Sequence, residues 1–403
     1  MELLDKFLKY ISIDTQSSEE NSDETPSTKK QFDLLNYLKK EIEDYDFKPV
    51  LSKYGYLYLF IPSNNPKIKK SVGFLAHVDT SPDADGKNIK PRIIKNYQGE
   101  DIKLSSKWTT TTKNFHELKK VIGDSLVVTN GETLLGADDK AGIAVIMHLI
   151  EFYSRNKDYP HGDLYFCFTP DEEIGNGTKY IDLKLFKPEF AFTLDGSDVN
   201  CFEFETFNAA SAKVTIEGKS VHPGSAKNKM VNAAMIATEF ESLLPPKMKP
   251  QYTENYEGFN HLTKLSGNVE KAEMNYIIRN HHRESFEKQK IFFKEVERAL
   301  NRKYHYKAVK VEIHDQYYNM GEVLHSKKWI INLIVDSMKQ IGLKPYSIPI
   351  RGGTDGAKLS FMGIPCPNIG AGGFCFHGRY EFLSINQLNK SYELVRQIID
   401  NIK

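Results

Sequence analysis

The stretch GFLAHVDTSPD, residues 73–83, joins an apolar run to two side chains that can do chemistry. His77 follows small and apolar residues that are typical of a buried strand, and Asp79 stands two positions later. An imidazole and a carboxylate are residue types that bind divalent metals and transfer protons. Their place at a predicted strand end suggests a site, because ligands in open α/β sheets lie outside the carboxyl ends of the strands.

Further acidic or histidine residues recur at the ends of other predicted strands. They are Asp138 in LLGADDKAG, Glu172 and Glu173 after LYFCFTPD, Asp195 after FAFTL, and His377 in GGFCFHGRYEF. Together with His77 they offer nitrogen and oxygen without sulfur, a set that suits zinc or, less selectively, manganese or cobalt. Two metal ions about 3.5–4 Å apart need one shared carboxylate, and Asp138 is the natural candidate.

Each of these residues also has an ordinary structural explanation. A single histidine at a strand end is commonly a satisfied polar group, and the Glu172–Glu173 pair can occupy a solvated first helical turn. Asp195 can cap a turn with Gly196, and Asp138 can cap the helix that follows it. Their recurrence at one predicted sheet edge favours a metal centre over these separate explanations.

Composition excludes several classes of protein. The 403 residues contain 54 Lys plus Arg and 53 Asp plus Glu, so no overall field attracts nucleic acid or an acidic membrane. Four cysteines form no CxxC pair, which argues against a disulfide framework or a thiolate metal site. No apolar stretch reaches the roughly 20 residues of a membrane-spanning helix, and no secretory signal is evident. We therefore expect a cytoplasmic protein.

The elements that must position these residues alternate between strand and helix. A first amphipathic helix covers the N-terminus, and a second follows Thr25 or Ser27, either of which can be its N-cap. Strands such as SVGFLAH and GDLYFCFTP alternate with helices such as DKAGIAVIMHLIEFYSR. This pattern predicts an α/β fold with a mixed, largely parallel sheet flanked by helices.

The order of predicted strands and helices changes between residue 208 and residue 317. This segment reads as strand, helix, two strands, helix and strand, a smaller α+β unit of βαββαβ type. After residue 317 the α/β pattern returns with the helix WIINLIVDSMKQIG and the glycine-rich RGGTDGAKLSFMGIPCPNIGAGG. We therefore predict one domain formed by residues 1–207 and 318–403, with residues 208–317 inserted.

A series of motifs runs in order from residue 14 to residue 382: DTQS, HVDTSPD, LLGADDKAGIA, FTPDEEIGNG, TLDG, NAAS, VHPGSAK, YYNM, IRGGTDGAKLSFMGIPCPNI and HGRYEF. The series resembles that of the peptidase T family of dinuclear zinc metallopeptidases, and it covers nearly the whole chain. The resemblance implies a catalytic domain with two zinc ions and an inserted domain that forms a homodimer or covers the site.

The resemblance also implies roles for single residues. His77 and Asp195 would bind the first zinc, Glu173 and His377 the second, and Asp138 would bridge them. Asp79 would orient His77 and fix its tautomer. Glu172 would be the general base that takes a proton from the attacking water.

The inserted domain supplies further candidates. His222 in SVHPGSAK would stabilise the oxyanion, in the same subunit or in its partner; as a sequence feature alone it is a surface turn histidine. Arg279 and Arg351 are candidates for clamping a peptide carboxylate, although Arg279 can equally form a surface ion pair. Asn208 is a weaker candidate for substrate contact.

The function that follows is the hydrolytic removal of the N-terminal residue from tripeptides. A dipeptidase, a carboxypeptidase or an N-acyl amino acid deacylase would share the metal ligands and the base. A catalytically silent peptide-binding protein on the same fold is the alternative from another class, and retention of Glu172 argues against it, because binding needs no general base.

Overall fold

Strands and helices alternate along residues 1–402, the part of the chain that the computed structural model describes. The strands are β1 Val50–Leu51, β2 Leu57–Ile61, β3 Val72–His77, β4 Arg92–Ile94, β5 Ile102–Lys103, β6 Thr109–Thr110, β7 Leu126–Val128, β8 Leu164–Thr169, β9 Phe190–Gly196, β10 Cys201–Glu203, β11 Asn208–Glu217, β12 Phe259–Gly267, β13 Lys271–Asn280, β14 Val309–Tyr317, β15 Tyr346–Ser347, β16 Asn368–Gly370, β17 Gly373–Phe374 and β18 Phe382–Ser384. The helices are α1 Leu3–Ile11, α2 Gln31–Asp44, α3 Ala137–Arg155, α4 Ala233–Leu243, α5 Arg283–Tyr304, α6 Gly321–Leu324, α7 Lys328–Gln340, α8 Asp355–Phe361 and α9 Ile385–Asp400.

The chain divides into two compact units. Unit 1 contains residues 1–204, 322–348 and 354–402, and unit 2 contains residues 205–321 and 349–353. The sequence placed the inserted segment at 208–317, a few residues inside these limits. The return of residues 349–353 to unit 2 was not anticipated, because five residues carry no periodicity from which to read their location.

Unit 1 is built on a mixed sheet of eight strands in the order β1-β2-β8-β3-β9-β16-β10-β15. Four of its pairings are parallel, namely β3 with β8, β3 with β9, β9 with β16, and β10 with β15. The central strands β3 and β8 are buried at every position, as expected when helices cover both faces of a sheet. The predicted α/β architecture is confirmed.

Helices lie on both faces of this sheet. Gly142 in α3 packs closely against Leu194 of β9, where a Cβ atom would stand 2.6 Å from the Leu194 carbonyl oxygen. Leu359 in α8 belongs to a core cluster with Leu75 and Ala191. Since side chains alternate along a strand, residues 191 and 194 face opposite sides, and α3 and α8 therefore cover opposite faces.

The second predicted helix begins later than expected. Helix α2 starts at Gln31, and its N-cap position, Lys30, makes no capping hydrogen bond through its side chain. Ser27, predicted as a cap, instead donates its hydroxyl to Asp171 at 2.6 Å and accepts the Ser18 amide at 3.0 Å. The capping prediction was wrong because a carboxylate distant in sequence is the partner of this hydroxyl.

Two small sheets complete unit 1. Strands β17, β18, β7 and β4 form an antiparallel sheet in that order, and β5 pairs with β6. Leu126, Val128, Phe374 and Phe382 from the four-stranded sheet are buried in one apolar cluster. Strand β18 is important for the site because it directly follows Glu381.

Unit 2 has the predicted βαββαβ order. Its antiparallel sheet runs β12-β13-β11-β14, and its helices are α4 and α5. Alternate strand residues such as Val214, Met274 and Val311 are buried together with Phe240 and Phe293 from the two helices. One face of the sheet thus carries the core of this unit.

None of the helices within residues 1–402 is both long enough and apolar enough to cross a membrane.

Candidate metal centre

His77 is the last residue of β3 and is only 2% exposed. Its Nε2 lies 2.8 Å from Asp138 Oδ1 and 3.7 Å from Asp195 Oδ1. Its Nδ1 lies 3.0 Å from the carbonyl oxygen of Asp79 and 3.3 Å from that residue's Oδ1. One ring nitrogen therefore faces two carboxylates, while the other is held by Asp79.

Asp79 is fully buried and organises more than the imidazole. Its Oδ1 accepts the backbone amide of Glu172 at 3.0 Å, and its Oδ2 accepts that of Glu173 at 3.2 Å. The carboxylate thus links the end of β3 to the segment that follows β8. This arrangement suits the predicted role of Asp79 in orienting His77, and it adds a function in positioning the two glutamates.

Asp138 stands between two imidazoles. Its Oδ1 faces His77, and its Oδ2 lies 3.3 Å from Nε2 of His377. The neighbouring Asp139 points elsewhere: its Oδ2 accepts the His77 amide at 3.2 Å and its Oδ1 accepts the Gly142 amide at 3.2 Å. Asp138 thus turns one carboxylate oxygen toward each imidazole.

Helix α3 begins irregularly at this point. Gly136 at its N-cap has φ of 77°, which favours glycine, and Asp138 and Asp139 have non-helical dihedral angles. The buried carboxylate of Glu381 accepts the amides of Leu135, Gly136 and Asp138 at 2.6, 2.8 and 3.1 Å. Sequence reasoning missed Glu381, because only the fold brings it to the start of α3.

Glu172 and Glu173 follow β8, and their carboxylates join different groups. Ligand atoms of His77, Glu172 and Asp195 all lie within 4.8 Å of one another, and so do those of His77, Asp138 and Glu173. Glu173 Oε2 also lies 2.8 Å from Nε2 of His377. The adjacent glutamates therefore serve two neighbouring sets that share His77.

Asp171, immediately before the pair, is a second buried acid near the site whose contacts the sequence did not reveal. Its φ is 56°, and it is completely buried. Its carboxylate accepts the Ser27 amide at 2.7 Å and Gln31 Nε2 at 2.6 Å, while its own amide donates to Gln31 Oε1 at 3.2 Å. The start of α2 thereby fixes the turn that presents Glu172 and Glu173.

Burial and mutual repulsion govern protonation of the acidic residues. Burial, followed by the charge of Asp195, raises the pKa of Glu172 well above its usual value. Burial and the charge of Asp138 raise the pKa of Glu173 to about 8. Burial also raises the pKa of Asp195. Burial acts in the same direction on Asp138, but hydrogen bonds with His377 and His77 outweigh it and lower the pKa of that carboxyl.

The pKa values of the two imidazoles are raised as well, which favours the charged form of each ring. Hydrogen bonds with Asp138 and then Glu173 raise the pKa of His377 to about 11. Burial disfavours the protonated form of His77, but hydrogen bonds with Asp138, Asp195 and Asp79 outweigh it and raise the pKa of the ring well above its usual value. The side chain of His377 is 43% exposed, and its Nδ1 lies 3.4 Å from Asp83 Oδ2. A proton on either ring offsets part of the charge of the surrounding carboxylates.

These residues fit a pair of divalent metal ions. Glu173 Oε1 is buried and has no hydrogen-bond partner among residues 1–402. An uncompensated buried carboxylate is costly, and a bound cation is the usual compensation. The available donors are imidazole nitrogens and carboxylate oxygens, which borderline divalent ions accept. Of the residues predicted from sequence, His77, Asp79, Asp138, Glu172, Glu173, Asp195 and His377 come together at this sheet edge, while their individual roles stay predictions.

The remaining candidates belong to unit 2. His222 is exposed, and its Nδ1 accepts the Gly224 amide at 3.1 Å. In the neutral ring that contact leaves the proton on Nε2, which is then a hydrogen-bond donor. Arg279 donates Nη1 to the carbonyl oxygens of Ala210 and Ile278 at 3.2 and 3.0 Å.

Arg351 and Asn208 have most of their polar groups engaged within unit 2. Arg351 donates Nη1 and Nη2 to the segment 253–257, with its guanidinium carbon 5.1 Å from the Phe207 ring centroid. Asn208 is fully buried; its amide nitrogen donates to the carbonyl oxygens of residues 280 and 281, and its oxygen accepts the Asn319 amide. Both contact patterns are structural, and the substrate contacts of these two residues stay predictions.

Comparison with curated proteins decides the family. The chain is 47% identical to peptidase T from Clostridium botulinum (strain Loch Maree, type A3) over 402 residues, covering 99% of this chain and 98% of that protein. The chain belongs to the peptidase T family. Residues 204–307 match the model of the peptidase dimerisation domain of M20 proteins, in agreement with the position of unit 2.

Solved structures agree with peptidase T family membership at the level of the fold. The aminopeptidase PepT from Bacillus cereus ATCC 10987 and a tripeptidase from Staphylococcus aureus each superpose with a TM-score of 0.79 at 22% identity. Each comparison covers 99% of this chain, with 98% of the first structure and 97% of the second. The family places the chain among peptide hydrolases that depend on a dinuclear metal site.

Proposed function

We propose that the chain is a zinc-dependent aminopeptidase that hydrolyses the first peptide bond of tripeptides. The observation that carries this proposal is the placement of Glu172 beside the predicted ligands: its carboxylate lies within 4.8 Å of His77 and Asp195 ligand atoms, while Glu173 joins His77 and Asp138. A carboxylate at this position can act as the general base of a metal-assisted hydrolysis.

Zinc is the metal proposed. His77 and Asp195 would hold one ion, Glu173 and His377 the other, and Asp138 both. When bound, the ions supply Lewis acidity toward the scissile carbonyl and lower the pKa of water toward neutrality. The nitrogen and oxygen ligand set supports zinc and leaves manganese and cobalt as alternatives for the metal analysis to distinguish.

We propose that Glu172 carries out the proton transfers of the reaction and that His222 stabilises the oxyanion. Glu172 removes a proton from water as the oxygen attacks the carbonyl carbon, and it then delivers that proton to the departing amine nitrogen as the C–N bond breaks. Burial and the charge of Asp195 raise the pKa of this carboxyl, and a raised pKa makes its carboxylate a stronger base toward water. His222, with its proton on Nε2, is proposed to donate to the oxyanion.

Substrate length selection requires recognition of both peptide termini. Arg279 keeps donors beyond the two carbonyl contacts of its Nη1, since a guanidinium carries five N–H groups. We propose Arg279 as the principal partner of the substrate carboxylate, with Arg351 as the second candidate and Asn208 as the weakest. Unit 2 is proposed to form a homodimer, as the name of its matching family model indicates. A cytoplasmic location stays a prediction from the sequence.

The test is hydrolysis of a matched series: a dipeptide, a tripeptide, a tetrapeptide, an N-acetylated tripeptide and an N-acetyl amino acid. Each substrate is offered to the protein as purified, after chelation, and after zinc restoration, and the products are identified. Zinc-restored release of the first residue from the free tripeptide alone is the expected result. Cleavage of the dipeptide, of a C-terminal residue or of the acetylated substrates would instead indicate a dipeptidase, a carboxypeptidase or a deacylase. Peptide binding without turnover would indicate a binding protein.

A further inference from the structure

Glu381 is a buried carboxylate that contacts backbone amides from a distant part of the chain. It lies four residues after His377, immediately before β18, and is 1% exposed. Its Oε2 accepts the amides of Leu135 and Gly136 at 2.6 and 2.8 Å, and its Oε1 accepts the amide of Asp138 at 3.1 Å. The Gly136 contact spans 245 residues of sequence.

The segment that receives these contacts has no cap from the side chain of its own N-cap residue. Amides in the first turn of a helix have no intrahelical acceptor and need a cap. The N-cap of α3 is Gly136, which has no side chain to supply one, and Asp138 and Asp139 lie outside helical dihedral angles. Glu381 provides the acceptors that a serine or aspartate cap supplies in an ordinary helix.

We propose that Glu381 is a positioning residue that fixes the Asp138 carboxylate between the two imidazoles. The inference rests on the proposed metal-dependent function. The mechanism is geometric: three amide contacts set the backbone at Asp138, and the same side chain ties that backbone to the loop carrying His377. Movement of either loop then carries both Asp138 and His377 with it.

The chemistry of the contact requires a carboxylate. Both oxygens of an ionised glutamate accept hydrogen bonds, so three amides are satisfied together. A glutamine would turn an NH₂ group toward at least one amide, and a donor would then face a donor. An aspartate is one methylene shorter and cannot reach all three from the same backbone position. These differences make Glu381→Gln and Glu381→Asp informative variants.

The test compares metal binding by the full-length protein and its Glu381→Gln and Glu381→Asp variants. The control is Glu151→Gln in α3, since Glu151 is also a buried carboxylate, 3% exposed, but binds Lys6 rather than the Asp138 segment. Zinc affinity is measured by competition with a chelating indicator, and the absorption spectrum of the cobalt-substituted protein reports the ligand geometry. Thermal unfolding of the metal-free proteins measures the structural cost.

For Glu381→Gln we expect metal affinity to fall by about 10-fold to 100-fold, as for other residues that orient ligands, with an altered cobalt spectrum. Glu151→Gln is expected to lose stability while keeping wild-type affinity and spectrum. Wild-type affinity and spectrum in Glu381→Gln would overturn the proposal and leave Glu381 a purely structural residue. Should that variant fail to fold, Glu381→Asp decides by the same criteria.

The two proposals fail in different ways. Wild-type protein that binds zinc but releases no residue from tripeptides would contradict the proposed function, while the affinity comparison at Glu381 would still decide its role. Wild-type protein that binds no divalent metal would overturn both.

Discussion

Asp79 and Glu172 are joined by a hydrogen bond of 3.0 Å from the backbone amide of Glu172 to Oδ1 of Asp79, across 93 residues of sequence. Because the same carboxylate also lies 3.3 Å from Nδ1 of His77, a single side chain sets the distance between a predicted ligand and the predicted base. The spacing of these groups is thus controlled by one buried residue rather than by two independent loops.

Replacement of this carboxylate should loosen the site without removing a ligand. In Asp79→Asn, an NH₂ group must face either His77 Nδ1 or a glutamate amide, and we expect zinc affinity to fall by about 10-fold to 100-fold. Affinity is measured by chelator competition, and Asp85→Asn on the exposed neighbouring loop is the control. Wild-type affinity in Asp79→Asn would refute a positioning role.

The adjacent glutamates should respond differently to the same substitution. Glu172→Gln should retain its metal content but lose about 10²-fold to 10⁴-fold in turnover, the usual contribution of a general base. Glu173→Gln should lose metal, because its carboxylate belongs to the group with His77 and Asp138. Metal analysis after gel filtration, together with tripeptide hydrolysis, separates the two effects. Loss of metal in Glu172→Gln would reassign that residue as a ligand.

The turn before these glutamates depends on Gln31. In Gln31→Leu the Asp171 amide loses its acceptor and the Asp171 carboxylate loses one donor, so we expect the free energy of unfolding to fall by about 1–3 kcal/mol. Urea denaturation measures the change. Asn36→Leu on the exposed side of α2 is the matched control, and equal stability of the two variants would contradict the prediction.

Stability of unit 2 should depend on pH through His281. Burial lowers the pKa of this imidazole to about 4, although its contact with the Thr206 carbonyl oxygen acts in the other direction. Its usual pKa is about 6.5, so the unfolded chain binds the proton first, and stability is lost as pH falls from about 6.5 to 4. His281→Gln, which does not titrate, should show a smaller loss over this interval in denaturant titrations. Identical pH dependence in both proteins would exclude His281 as the cause.

Arg351 should protect the segment 253–257 from proteolysis. Its four hydrogen bonds to that segment use both terminal nitrogens of the guanidinium, and the single ammonium of a lysine cannot replace them. A loss of about 1 kcal/mol raises the open population roughly 5-fold, so Arg351→Lys should be cleaved faster there in limited proteolysis. Arg279→Lys is the control. Unchanged cleavage combined with a raised KM would support a substrate contact instead.

Local sequence patterns predicted the order of the elements and a cluster of metal-ligand side chains at one sheet edge. The apolar run before His77 indicated a buried strand, and the rule that ligands lie at the carboxyl ends of parallel strands places His77, Glu172 and Asp195 at one edge. Asp138 reaches them from the start of α3, after strand β7 of the small antiparallel sheet. The alternation of apolar and polar residues in the strands and the helical spacing of apolar residues likewise predicted the βαββαβ order of unit 2. These features depend on short windows of sequence.

Contacts between distant segments could not be read in this way. Ser27 was assigned to a helix cap, whereas it binds Asp171 across 144 residues. Glu381 and Asp171 carry no local signal, since a buried acid and a surface acid have the same letter in the sequence. The contacts of Arg351 with the carbonyl oxygens of a loop nearly a hundred residues earlier were likewise not anticipated. Such partners emerge only when the sheet register is known.

The division of unit 1 across an insertion sets the order in which the predicted ligands are synthesised. The first part of the unit ends at residue 204 and contains every predicted ligand except His377, which the ribosome adds, with Glu381, only after unit 2 is complete. Strand β16, the parallel neighbour of β9, is also absent until then. At about 5–20 residues per second the delay is roughly 10 to 35 seconds. The nascent chain therefore passes this interval without one of the five predicted ligands, and the proposed two-metal site is complete only after His377 has been added.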